Sequence, residues 1–407
     1  MKCRHCAMPL AHVFLDLGSA PLSNAYLDTS ALRRVEPHYP LRLFVCEHCW
    51  LVQTQDHASA DELFANDYAY FSSTSRSWLA HAASYAQAIT SRLNLGPEHF
   101  VLEVASNDGY LLRNFVGAGI PCLGIEPTAN TACAAEALGV PVLREFFGAT
   151  VARRLAAENR QADLVIGNNV YAHVPDINDF TTGLREVLRP GGTITLEFPH
   201  LLELIRHGQF DTVYHEHFSY LSLGAVQKIF QSAGLRVIDV ERLPTHGGSF
   251  RVYGAHADDP RPESPAIASV LDDESRAGLR SISTYTNFQQ RANRIKDDFV
   301  AFLIDQKQRG LCVAAYGAAA KGNTLLNYAG VRPDLLPFVC DAAPSKQGKY
   351  MPGSRIPILP PSALEVRKPD IIVILPWNIA EEVLAQLAHV RAWGGRFAVA
   401  VPEMRLL

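Results

Sequence analysis

The stretch DTVYHEHFSYLS gathers Tyr214, His215, Glu216, His217, Ser219 and Tyr220 within seven positions. One histidine alone is more often satisfied by nearby backbone groups, but this mixture of phenol, carboxylate and imidazole suits proton transfer at carbon. Removing a proton beside a carbonyl needs a base, and the enolate it leaves needs an oxyanion stabiliser. His217 is the preferred base, because an unperturbed imidazole titrates near operating pH. Glu216 would orient it or hold the substrate, Tyr214 would steady the enolate, and His173, in NNVYAHVPD, would assist. Neighbouring side chains diverge on regular structure, so Glu216 and His217 can serve one centre only from an irregular turn.

A second constellation is the pair of knuckles Cys3-x-x-Cys6 and Cys46-x-x-Cys49. Four thiolates suit the tetrahedral coordination of a closed structural zinc site. The knuckles are farther apart than in the commonest zinc ribbons, and His5 and His48 are possible substitute ligands, yet four cysteines remain the preferred set. Such a site has no open position for water or substrate, so its expected contribution is folding stability. The other four cysteines, Cys122, Cys133, Cys312 and Cys340, are scattered in apolar surroundings.

The third is VLEVASNDGYLL, an apolar strand carrying Glu103 that runs through Ala105, Ser106, Asn107, Asp108 and Gly109 into a helix. A strand, a polar turn and a helix start make a ligand cradle. The dinucleotide fingerprint G-x-G-x-x-G is absent, which favours an amino-acid-like ligand over a pyrophosphate. Glu126, followed by Pro127 at the end of the next strand, is placed to accept hydrogen bonds from ribose hydroxyls. Asn168 and Asn169 would flank the ligand from a later strand.

These groups must be carried by several domains, since 407 residues exceed what one core usually serves. Residues 1–75, with both cysteine pairs and no long amphipathic pattern, read as a small irregular zinc-binding module. Apolar spacings of three and four predict a helix over 77–95 that opens the second domain, 76–257. There VLEVA, PCLGIEP, DLVIGNN and TITLEFP alternate with helical stretches, and LRVIDVERL with an antiparallel SFRVYGAHA would complete a seven-stranded, doubly wound sheet. A linker at 258–265 and a charged helical region over 281–309 lead into LCVAAYG, PFVCD, DIIVILP and RFAVAV, a second Rossmann-like α/β lobe within 258–407.

Net charge of −4, mixed along the chain, gives no field to recruit nucleic acid or an anionic membrane. No apolar run reaches bilayer length and MKCRHCAMPL has no extended apolar region, so the cytoplasm is the expected compartment. A monomer or weak homo-oligomer is the expected assembly.

The polar turn and Glu126 resemble the class I methyltransferases, with Ala105 standing where many members have glycine. Together with the cysteine knuckles, SNDG, NNVYAHVPD, YHEHFSYLS and HGGSFRVY, nearly the whole chain resembles the sugar C-methyltransferase family. That resemblance implies S-adenosylmethionine as cofactor, a structural zinc, and transfer to carbon 3 of a dTDP-linked 4-keto-6-deoxy sugar in deoxysugar biosynthesis. It carries over Tyr214, Glu216, His217 and His173 as active-site residues and Tyr70 as a group closing the pocket, with Tyr68 a competing match. Ser249 and Arg251 of the HGGSFRVY stretch become expected substrate contacts. In the second lobe Lys321 and Asn323 are expected to hold the substrate diphosphate. An O- or N-methyltransferase and a scaffold without chemistry are the alternatives.

Overall fold

The computed structural model describes residues 1–57 and 71–407, so Tyr68 and Tyr70 lie outside the described residues. The N-terminal module is built on β1 (His12–Ala20), β2 (Tyr39–Val45) and β3 (Val52–Thr54), all antiparallel. Expected to be irregular, it is a sheet, because alternation in β2 buries Leu41, Leu43 and Val45 on one face. Its core is not its own. Phe14 stacks on Phe288 at 4.8 Å and meets Tyr285 edge-on at 5.6 Å. Leu15 and Leu43 belong to the same apolar cluster as Leu325 and Val339 of the C-terminal lobe.

The middle domain opens with the helix Arg76–Leu93, capped by the Ser75 side chain on the Trp78 N–H and ended by left-handed Asn94. Ala82, Tyr85, Ala86 and Ile89, spaced three and four apart, are its buried face. The strands are β4 (Val101–Val104), β5 (Cys122–Ile125), β6 (Val142–Leu143), β7 (Ala162–Asn168) and β8 (Leu188–Pro199), then β9 (Ser219–Tyr220), β10 (Leu235–Leu243) and β11 (Ser249–His256). All but β9 form one sheet in the order β10-β11-β8-β7-β4-β5-β6, parallel except for β11. The expected seven strands are present; the two-residue β6 is too short for its alternation to be read. Strand order reverses at β4, which puts the ligand crevice beyond the carboxyl ends of β4 and β7. Strand β9 leaves this sheet and pairs with β3, stitching the histidine-rich stretch to the zinc module.

The charged region is split into the helices Ile282–Thr286 and Phe288–Gln308, preceded by Pro265–Arg276. The C-terminal sheet contains β12 (Val313–Tyr316), β13 (Val339–Cys340), β14 (Ile358–Leu359), β15 (Ile371–Ile374), β16 (Arg396–Val399) and β17 (Arg405–Leu406). Its order is β14-β13-β12-β15-β16-β17, parallel apart from β17. Here the reversal falls at β12, so the second crevice lies between the turn before helix Ala320–Tyr328 and the turn after β15. Among the described residues no helix is long and apolar enough to cross a membrane.

Candidate active site

The four expected thiols converge: the Sγ atoms of Cys3, Cys6, Cys46 and Cys49 all lie within 4.8 Å of one another. Cys3 to Cys49 and Cys6 to Cys46 are each 3.5 Å. Tetrahedral zinc–thiolate bonds of about 2.3 Å require sulfurs roughly 3.8 Å apart, so the cluster fits the ion. Neither His5 nor His48 belongs to the cluster, and the His5 Nδ1 lies 2.8 Å from Asn178 Oδ1. The donor set is sulfur alone and closed, as a structural site requires.

At the carboxyl edge of β4, Ala105 and Asn107 are left-handed at φ 56° and 49°. That conformation, about 1–2 kcal/mol costly for a residue with a Cβ, is why glycine suits the position of Ala105. Asn107 Oδ1 accepts from the Ser72 N–H at 2.9 Å and Asp108 Oδ2 from Ser73 at 3.0 Å, so the segment after residue 70 roofs the turn. Glu126 accepts from the Asn107 N–H at 2.9 Å and the Thr128 N–H at 3.0 Å, and from the Thr128 hydroxyl. This leaves one lone pair for a ribose hydroxyl unless Thr128 rotates. Both polar atoms of the buried Asn168 amide, and the Ser106 hydroxyl, have no partner. Buried amides of this kind are rarely left unsatisfied, so the edge suits a polar ligand such as S-adenosylmethionine. Glu103 is fully buried beneath it, and desolvation, then Glu126, pushes its carboxyl well above the usual range.

Next to this edge the irregular turn required by the sequence is found. The His217 N–H closes onto the Tyr214 carbonyl at 2.9 Å. The His217 ring lies 3.9 Å from the Tyr214 ring and 4.6 Å from that of His173. Its Nδ1 is 2.9 Å from the Thr212 carbonyl, which can only accept, so Nδ1 carries the proton and Nε2 the lone pair. Burial, then His173, holds His217 well below the ordinary imidazole value; burial brings His173 down to about 4. Both are neutral at physiological pH, but the ground on which the sequence favours His217, an imidazole titrating near operating pH, does not hold in this buried setting, which makes the ring a weaker base. The Glu216 carboxylate points elsewhere, receiving Asn24 Nδ2 at 2.8 Å on each oxygen. Glu216 and His217 therefore diverge, and a residue of the zinc module holds the former.

Several groups at this site escape sequence reasoning. His246 sits in the β10–β11 turn at φ 54°, its Nε2 accepting from Asn169 Nδ2 at 3.1 Å and its ring 5.2 Å from Trp78. Burial, then Lys321, lowers it to about 4. The following Gly247 is left-handed, and a Cβ there would meet the Trp377 ring at 2.5 Å, so HGG is a close approach between lobes. The HGG triplet is the signal that could have pointed to His246. Trp78 stacks on His81 at 5.0 Å, and His81 bonds Glu197 at 2.9 Å. Trp78 reads in sequence as one more residue of an apolar stripe.

Lys321, at the second crevice, acts electrostatically on the same histidines. Its ammonium donates to Asn378 Oδ1 at 2.6 Å and lies 4.5 Å over the Trp377 ring. Burial lowers it to about 8 against the opposing pull of Asp211, and it acts on both His217 and His246. Asn323 donates to the Ser23 carbonyl at 2.6 Å while its own oxygen has no partner. Ser249 and Arg251 are engaged internally. Ser249 donates to the Thr245 carbonyl at 2.9 Å, and Arg251 is clamped by Glu197 at 2.7 Å and Glu241 at 3.1 Å over the Tyr85 ring.

A seven-stranded sheet with one reversed strand, a polar turn after β4 and an acid closing β5 define an S-adenosylmethionine-dependent methyltransferase. Residues 244–402 match the C-methyltransferase C-terminal domain, residues 78–240 a methyltransferase domain and residues 3–64 a zinc binding domain. C-methyltransferase NovU of Streptomyces niveus is 35% identical over 406 residues, 100% of this chain and 96% of that protein. The chain belongs to this C-methyltransferase family, so carbon rather than oxygen or nitrogen receives the methyl group. An uncharacterized methyltransferase of Mycobacterium leprae is 30% identical over 98 residues, 24% of this chain and 36% of that one. Magnesium protoporphyrin IX methyltransferase of Synechocystis PCC 6803, with bound SAH, is 16% identical over 44% of this chain and 82% of its own, at a TM-score of 0.35, too low to build on.

Proposed function

We propose that the protein methylates carbon 3 of a nucleotide-linked 4-keto-6-deoxy sugar, dTDP being the expected carrier. The observation that carries this reading is His217, a buried neutral imidazole with its tautomer fixed by Thr212 and a buried cation, Lys321, near enough to act on its charge. A ketone needs that combination. The lone pair on Nε2 removes the proton from the adjacent carbon, and a positive charge opposite stabilises the oxygen of the enolate. S-adenosylmethionine, held along Ser106–Gly109, Glu126 and Asn168, supplies the electrophilic methyl group. Tyr214, its ring tilted against that of His217, supports the same oxyanion; burial keeps the base neutral and His173 takes part in relaying its proton. Glu216, fixed by Asn24, faces the sugar rather than the base. The nucleotide is assigned to the C-terminal lobe, with Asn323 and the crevice at β12 as its boundary.

The test is incubation with S-adenosylmethionine and dTDP-4-keto-6-deoxyglucose or its 2-deoxy analogue, followed by mass and carbon-correlated NMR. One methyl on carbon 3 is expected, and its loss by about 10²- to 10⁴-fold in His217→Asn, the usual worth of a general base. A methyl on oxygen, or none on either sugar, contradicts the reading.

A further inference from the structure

Arg4 lies inside the first zinc knuckle, between two cysteine ligands, yet its side chain is 6% exposed and faces the catalytic turns. Its Nη1 donates to the Pro175 carbonyl at 2.7 Å, two residues beyond His173. Its Nη2 donates to the Thr54 carbonyl at 3.1 Å and to Asp56 at 2.7 Å. The guanidinium also lies 5.3 Å over the ring of Phe218, the residue after His217. Thr54 in turn donates its N–H to the Phe218 carbonyl at 3.1 Å. One side chain is thus tied to both histidine-bearing segments, and the backbone that carries it is fixed by the metal ligands on either side. The knuckle is joined a second time to the His173 segment: Asn178 Nδ2 donates to the carbonyls of Arg4 at 3.3 Å and His5 at 2.8 Å.

We propose that Arg4 is a positioning residue that couples the zinc knuckle to the His173–His217 pair, so that the metal sets the geometry of the base as well as the stability of the module. Nothing about a four-thiolate site requires this, since a purely structural ion would need no buried guanidinium reaching across a domain boundary. The spread of donors explains the choice of arginine: the two terminal nitrogens of a planar fork serve two carbonyls and a carboxylate at once, which a lysine ammonium cannot do from the same place. The inference rests on the reading of His173 and His217 as active-site groups.

The experiment compares the full-length zinc-loaded protein with Arg4→Ala and Arg4→Lys. Zinc stoichiometry, kcat and KM, and the nitrogen-correlated imidazole signals of His173 and His217 are recorded for each. Arg4→Ala is expected to keep one zinc and a KM for S-adenosylmethionine within about twofold, while kcat falls about 10- to 100-fold, the usual result of a small misplacement. The two imidazole signals shift, and Arg4→Lys recovers part of both effects. Unchanged kcat and unchanged signals in Arg4→Ala overturn the proposal. Should Arg4→Ala lose its zinc, Asn178→Ala decides: it cuts the second tie while leaving Arg4 and all four cysteines in place, and must shift the His173 signal or the coupling is refuted. A fully active His217→Asn would remove the assigned base, whereas shifted imidazole signals in Arg4→Ala would still establish the coupling.

Discussion

The two parallel sheets each present a crevice at a reversal of strand order, but they treat their polar groups in opposite ways. Beyond β4 and β7, the Asn168 amide, the Ser106 hydroxyl and one oxygen of Asp108 are buried without partners. Beyond β12 and β15, Asp341 is taken up by the N–H groups of Ala318 at 2.6 Å and Ala343 at 2.8 Å, and Asn323 is tied to Ser23. The first edge leaves bonds for a ligand to make. The second has closed more of its own, keeps the Asn323 oxygen open at the crevice proposed for the nucleotide, and adds one charge, Lys321, that acts on His217 and His246. Equivalent architecture therefore leaves an edge rich in unpartnered polar groups in one lobe, and in the other a more fully bonded edge whose Lys321 makes an electrostatic wall.

Breaking the wall has the larger effect. Lys321→Met is expected to lower kcat about 100-fold, the scale of losing one oxyanion-stabilising group, with S-adenosylmethionine affinity unchanged by calorimetry. The pH profile sharpens this. In the wild type kcat should fall as pH rises through about 8, where Lys321 loses its charge, while Lys321→Arg should hold its rate across that range. A Lys321→Met enzyme with a wild-type rate would place the diphosphate, or nothing, at this ammonium.

Altering the binding edge costs less. Asn168→Ala should weaken S-adenosylmethionine binding by about tenfold in calorimetry, near the net worth of one or two hydrogen bonds. Removal of a buried unsatisfied amide should leave the melting temperature of the ligand-free protein unchanged or raised; a marked fall would show that Asn168 serves the fold. Smallest of all is Ala105→Gly, which relieves a left-handed alanine and should raise the melting temperature by about 1–2 °C. No change there would mean that the turn relaxes around Ala105.

The contrast between the lobes was half legible in sequence. Alternation of short apolar strands with helices gave both sheets, because strands covered on both faces are nearly continuous runs such as VLEV and IIVI. Clustering in YHEH pointed to the proposed base, and two spaced knuckles gave the metal set. Arg251, by contrast, sits in a motif that resembles a substrate contact, and only the closing of β11 against β8 reveals its clamp on Glu197. Lys321 was visible as a cation at a helix start, but what it faces is decided by the docking of one lobe on another. His246 and Trp78 meet through long-range folding within the middle domain, and Asn24 reaches Glu216 only across a domain boundary, contacts for which a single sequence has no periodicity to read.

The central claim is that a neutral His217 removes a proton from carbon beside a sugar ketone. Deuterium uptake at that carbon, followed in heavy water without the methyl donor, tests it most directly. One deuteron should enter with the wild type, with an acid limb well below pH 6.5 because burial keeps the imidazole unprotonated as pH falls, and uptake should vanish with His217→Asn. Exchange at the wild-type rate in His217→Asn would contradict the account.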